Sequence, residues 1–126
     1  MNEFDNRSLS DAEMYFWLCQ MARQLDVAAV IVNTKKGYTI DFVNQAFSRM
    51  TDYSEYDMTG ANLAKLHGPS TDLLNEEAIQ ESIENGLTFK TSSLHYRKDG
   101  STFWNEVNNL PMRNQLGELQ YSLILM

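Results

Sequence analysis

The sequence predicts an α+β domain, an antiparallel sheet with short helices gathered on one side. Three observations carry that reading. Two strand-like runs joined by a turn stand early in the chain. Three more, also joined by short turns, finish it, and between the two groups lies a series of brief helical signals interrupted at Gly60, Gly68 and Pro69. Nothing repeats internally.

The leading helix comes first. Ser10-Asp11-Ala12-Glu13 is a capping box, in which the Ser hydroxyl takes a free amide of the first turn while the Glu reaches back to the cap amide. Met14, Trp17, Leu18, Met21, Ala22 and Leu25 then recur at helical spacing on one face. Tyr15, Phe16 and Cys19 widen that stripe beyond what one contact needs. Tyr15, Phe16, Trp17 and Cys19 are therefore the dimer-contact candidates; the alternative is a helix folded back wholly on its own sheet.

Val27 to Val32 is an apolar run, Lys35-Lys36-Gly37 a turn, and Tyr38 to Asn44 alternates, with Tyr38, Ile40 and Phe42 on one face. Together they predict a hairpin. Asn44 caps a short helix over Gln45 to Met50, and Ser54 with Asp57 caps another that ends before Gly60. From Gly60 to Asp72 the chain changes character. Its glycines relax the backbone, Pro69 fixes the exit, and Ser70, Thr71 and Asp72 are good helix starters. A helix over Asn75 to Asn85 follows, with Ala78, Ile79, Ile83 and Leu87 facing inward, Gly86 as terminator, and Glu76, Glu77, Glu81 and Glu84 as its solvated side. Strands over Thr88 to Arg97, Ser101 to Arg113 and Glu118 to Met126 turn at Asp99-Gly100 and Leu116-Gly117.

Composition narrows the function. At 43% hydrophobic and 21% charged, the chain is an ordinary single globular domain, with disorder expected only in the first few residues. A net charge of -7 opposes a nucleic-acid footprint, since Lys35-Lys36 and Arg97-Lys98 fall in separate turns. No apolar run approaches a membrane span, and Met1-Asn2-Glu3 lacks the basic start of a signal peptide, so a cytoplasmic location is expected. Cys19, the only cysteine, excludes an internal disulfide and any Cys-based zinc site, and reads as an apolar filler.

Several motifs occur in a telling order: Asn44-x-Ala46-Phe47-x-x-Met50-Thr51-x-Tyr53-Ser54, Gly60-x-Asn62, Leu66-x-Gly68-Pro69-x-Thr71-Asp72, Tyr96-Arg97-Lys98-Asp99-Gly100 and Phe103-Trp104-Asn105-Glu106. From about Val27 to Met126 the chain resembles a PAS domain of the light-oxygen-voltage (LOV) branch. The resemblance implies the PAS fold, a five-stranded antiparallel sheet with short helices on one face, over 27–126. Residues 1–26 are then a flanking, dimerising segment. In that family the central loop carries an Asn, a Cys that bonds the photoexcited flavin, and an Arg that holds its phosphate. Here the Cys position is Leu63 and the Arg position is Ala64.

The same resemblance names the pocket: Asn62, Leu63, His67, His95, Asn105, Ile124 and Met126, with Ser93, Phe103, Val107, Asn109 and Ser122 on the inward face of the strands. Compared with the family, His95 stands where a second Asn belongs, Met126 and His67 replace glutamines, Ile124 replaces a small Gly, and Lys65 replaces a Phe. The second phosphate-gripping Arg is Gln80. Losing two charge-assisted partners costs about 3–6 kcal/mol, roughly two to four decades of affinity. No cofactor is therefore expected, with FMN as the less favoured alternative.

Asn62 reads as a tie for its own loop, whereas Asn105 serves either a ligand or a neighbouring strand or helix end. His67 and His95 have no Cys or carboxylate at ligand spacing, so no metal site is expected and haem ligation is weaker still. Tyr96 and Trp104 read as sheet-packing residues. No nucleophile and base pair stands out, and Asp72, Glu76 and Glu77 are explained by a helix start. The expected function is a sensory or protein-interaction module, not itself an enzyme and not a cysteine-adduct photoreceptor. It is expected to be a homodimer that signals to a covalently linked kinase, cyclic-dinucleotide enzyme or DNA-binding domain. The alternative is a non-covalent flavin, small-molecule or redox sensor.

Overall fold

A computed structural model describes residues 9–126; the Met1-Asn2-Glu3 start lies outside them. Helix α1 (Asp11–Gln24) precedes strands β1 (Ala29–Asn33) and β2 (Thr39–Val43). Helices α2 (Gln45–Thr51) and α3 (Glu55–Met58), a 3-10 helix (Leu63–Leu66) and α4 (Leu73–Glu84) follow, and β3 (Phe89–Tyr96), β4 (Thr102–Arg113) and β5 (Leu119–Leu125) close the chain. All neighbouring strands are antiparallel, in the order β2-β1-β5-β4-β3. Among the described residues no helix is long and apolar enough to cross a membrane.

Alternation along the strands gives the sheet two buried faces. Val30, Val32, Val107 and Ile124 point to an inner core closed by Phe47, Met58, Leu66, Ile79 and Ile83 from the helical side. Ala29, Ile31 and Phe42 point the other way, where α1 covers them with Leu18, Cys19 and Ala22. The leading helix thus splits the two readings offered for it. Cys19 is buried and Tyr15 is half-buried against Tyr121, with ring centroids 5.2 Å apart, so neither is free for a second chain. Burial also raises the Cys19 thiol above its ordinary pKa. Phe16, Trp17 and Met21 lie on the far side of the helix, each just over half exposed.

Four local expectations need correction. Ile40 and Phe42 do not share a face: a bulge between Ile31 and Val32 pairs Ile31 with Phe42 and Val32 with Ile40, so Asp41 is the extra residue. Ile40 consequently joins the inner core and Phe42 the outer one. Tyr38 belongs to the turn, at φ 59, and not to β2. Leu87 is exposed, because Gly86 at φ 63 reverses the chain before Leu87 can extend the inward face of α4. Trp104 is also exposed, on the outer face beyond the strands that α1 covers.

Asn44 joins the layers. Its Oδ1 accepts from the amides of Ala29 (2.9 Å) and Phe47 (3.0 Å), while its Nδ2 donates to the carbonyls of Ala22 and Val27, both at 2.9 Å. One buried amide therefore ends α1, starts β1 and caps α2.

Asp57 does a similar job at the surface. It closes the capping box of α3 with Ser54 and reaches Lys98 of the β3–β4 turn at 3.0 Å. The Ser54 amide, then Lys98, hold its carboxyl at about 2, below the ordinary 3.8. A folded-state value below the unfolded one means that the contribution is full above about 3.8 and is lost as pH falls toward 2. Asp57→Asn is accordingly expected to lower Tm at pH 6, with the difference from the parent shrinking below pH 3.8 and closing only as pH falls below about 2 in thermal melts. A gap that stayed constant with pH would show that the carboxylate's charge is irrelevant.

Candidate functional site

A cleft of about 350 Å³ opens between the central loop, the turn at Gly37-Tyr38 and α4. The loop is held in place from both ends. Ile40, next to the bulge, exchanges backbone hydrogen bonds of 2.8 Å with Gly60 and Ala61. At the exit Gly68 lies so close to Tyr96 that an added Cβ would fall 2.4 Å from the ring, and the Tyr96 hydroxyl accepts from the Ser70 amide at 2.9 Å. Tyr96 is thus a loop anchor as well as a sheet residue.

His67 and Glu76 line the cleft, and His95 lies behind them, 1% exposed. Glu76 accepts at Oε1 from His95 Nε2 (2.8 Å) and from the Ser93 hydroxyl, and its Oε2 lies 3.2 Å from His67 Nε2. His95 Nδ1 in turn meets Asn105 Nδ2 at 2.9 Å. With the Asn105 amide donating to Nδ1, the His95 Nε2 proton points at Glu76, so the Ser93 hydroxyl and the His95 ring both donate into one carboxylate. Burial by itself pushes the Glu76 carboxyl up. The hydrogen bonds from His95 and Ser93, with the two imidazoles facing the carboxylate, outweigh it and leave the group below the usual carboxylate range. Its place near the start of α4, capped by Asp72, favours the anion further.

Glu76 corrects the reading of α4 as a helix with all its acids solvated, for it is buried, whereas Glu77, Glu81 and Glu84 are exposed. It also supplies the carboxylate that His67 and His95 lack in sequence. A signal for it was present: Glu76 precedes Ile79 by three positions and Ile83 by seven, and so rides the apolar stripe.

The other pocket candidates separate. Leu63 lines the cleft and packs on the inner core. Asn62 also lines it, but its Oδ1 accepts from the Ala64 amide at 2.9 Å and caps the 3-10 helix. Asn105 is committed to His95, 2% exposed. Ile124 is fully buried and Met126 half-buried in the inner core, and neither lines the cleft.

The PAS domain family profile matches residues 27–126. The chain belongs to the PAS domain family. The relatives of this PAS domain are of the light-oxygen-voltage type. It is 30% identical over 112 residues to phototropin-1A of Oryza sativa subsp. japonica, a match covering 81% of this chain and 12% of that protein. It superposes on the LOV domain of the Erythrobacter litoralis EL346 blue-light activated histidine kinase with a TM-score of 0.76 and 28% identity, over 81% of this chain and 94% of that one. An RNA-binding light-oxygen-voltage receptor gives a TM-score of 0.78 at 28% identity, over 93% of this chain and 33% of that one. The chain thus spans about an eighth of the phototropin's length.

The cleft of this PAS domain does not fit the flavin mononucleotide of LOV domains. Its wall carries two carboxylates, Glu76 and Glu77, and neither Lys nor Arg, which opposes a phosphate dianion. The inward-facing amides on β4 are already engaged, Asn105 by His95 and Asn109 by the Leu87 carbonyl and the Ser82 hydroxyl.

Proposed function

We propose that this PAS domain is a sensory and interaction module of a larger signalling protein. It works without a cysteine adduct and passes changes of packing or of dimer arrangement to an output domain. The observation that carries this reading is the place of the chain's one thiol. By the resemblance to LOV domains Leu63 stands where such a domain would hold its reactive Cys, and Cys19 is buried beneath the sheet-facing side of α1, on the opposite face of the sheet from the inner core on which Leu63 packs. No thiol of the described residues lies on the cleft's side of the sheet. Blue illumination of the purified domain supplied with FMN is expected to give neither a bleached flavin spectrum nor a protein mass raised by one flavin. A covalent flavin in the intact mass would overturn the reading, and co-purifying yellow FMN would replace it by a non-covalent flavin sensor.

Residues 1–26 act in this proposal as the flanking segment that pairs two copies in the cytoplasm. Phe16, Trp17 and Met21 form an exposed apolar strip, and the Phe16 and Trp17 rings meet edge-on with centroids 5.1 Å apart, a preformed aromatic anchor of the kind that dominates interfaces. The output would be a linked kinase, cyclic-dinucleotide enzyme or DNA-binding domain, a reading supported by the small share of its relatives that the chain spans. Trp17→Glu combined with Met21→Glu is expected to convert a dimer to a monomer in sedimentation velocity without loss of helix by circular dichroism. A parent domain that sediments as a monomer at high concentration would end the pairing role.

A further inference from the structure

We propose that His67, Glu76 and His95 bind one divalent first-row transition-metal ion, entering from the cleft. The three come from separate elements, the segment after the 3-10 helix, α4 and β3, yet one ligating atom from each lies within 4.8 Å of the other two. The closest pairs, 2.8 Å between Glu76 and His95 and 3.2 Å between Glu76 and His67, are close to what four-coordinate geometry needs. Metal bonds of about 2.0–2.2 Å at tetrahedral angles put neighbouring ligand atoms roughly 3.3 Å apart. The carboxylate and imidazoles need only part slightly to admit an ion.

Donor chemistry sets the class. Calcium and magnesium require more oxygen ligands than one carboxylate offers, and thiolate-seeking ions find no sulfur here. Two imidazoles and a carboxylate suit zinc, cobalt or ferrous iron, with the remaining positions open toward the cleft. Access is built in, since the His67 side chain is 26% exposed at the cleft while those of Glu76 and His95 are buried.

Asn105 supplies the outer partner that metal-bound histidines use to fix their tautomer. On loading, the His95 proton moves from Nε2 to Nδ1 and the Asn105 amide turns over, so that Oδ1 accepts where Nδ2 now donates. His67 frees its Nε2 by the same shift of a proton to Nδ1, or loses a proton to solvent. No electron is transferred. The site is independent of the signalling role, because binding is measured directly.

The test uses the chelator-stripped chain titrated with Co2+, whose visible bands report coordination, followed by displacement with Zn2+. One Co2+ per chain with intense four- or five-coordinate bands is expected. Asn105→Ala should weaken binding roughly 10- to 100-fold, Glu76→Gln and His95→Ala more, and Glu77→Gln on the cleft wall not at all. Weak, multiple binding that survives Glu76→Gln would assign the ions to the acidic surface and overturn the site. If those variants do not fold, imidazole nitrogen NMR of the parent chain decides: Zn2+ should shift the Nε2 resonances of both His67 and His95, and unmoved resonances overturn the proposal.

Discussion

Asn44→Ala is expected to destabilise the domain by about 3–5 kcal/mol, read as a lower urea midpoint at unchanged slope. Four backbone groups lose a hydrogen bond at once: the amides of Ala29 and Phe47 and the carbonyls of Val27 and Ala22, the last keeping only the 3.3 Å bond from the Leu25 amide. Asn44 is only 3% exposed, and a cavity left by one amide is a poor substitute for four well-placed hydrogen bonds. A lost helix cap alone costs about 1 kcal/mol. The excess measures how far one side chain couples α1, β1 and α2. Asn62→Ala is the matched comparison, because Asn62 makes one capping bond at an exposed position and should cost about 0.5–1 kcal/mol. Equal losses at the two positions would mean that Asn44 is no more than a cap.

That contrast also marks where sequence reading succeeds. Ser10 with Glu13, Asn44 before Gln45, and Ser54 with Asp57 act through atoms three residues away, and each closes as its spacing predicts. The five-stranded antiparallel sheet follows from the order of strand runs and turns. What escapes is fixed across the fold. Asn44's reach to Ala22 spans 22 residues. The bulge that sends Ile40 and Phe42 to opposite cores depends on how β1 pairs with β2, which alternation in one strand cannot reveal. The width of the α1 stripe does not tell which of its residues the sheet takes: Cys19 and Tyr15 turn to the sheet, Phe16 and Trp17 away from it. Glu76 is the sharpest case. Charge argues for the solvated face and periodicity for the buried one, and periodicity wins because His95, Ser93 and His67 are waiting there.

Glu76→Leu should therefore cost about 3–5 kcal/mol by itself, since it strips the acceptor from His95 Nε2 and from the Ser93 hydroxyl inside the fold. His95→Leu should also be costly, leaving the buried carboxylate short of a donor and the Asn105 amide without its acceptor. The double variant is expected to fall short of the sum of the two losses by about 1–3 kcal/mol, because the second substitution removes a group the first had already orphaned. Losses that simply add in chemical unfolding would show that Glu76 and His95 do not act as a unit. The sign of the coupling bears on function. A carboxylate held between two imidazoles gives back in desolvation much of what its hydrogen bonds gain, so an apolar filling of the same space is a serviceable core. The closer the double variant comes to the parent's stability, the less folding needs this cluster, and the more its three converging donor atoms at the cleft are explained by what they bind.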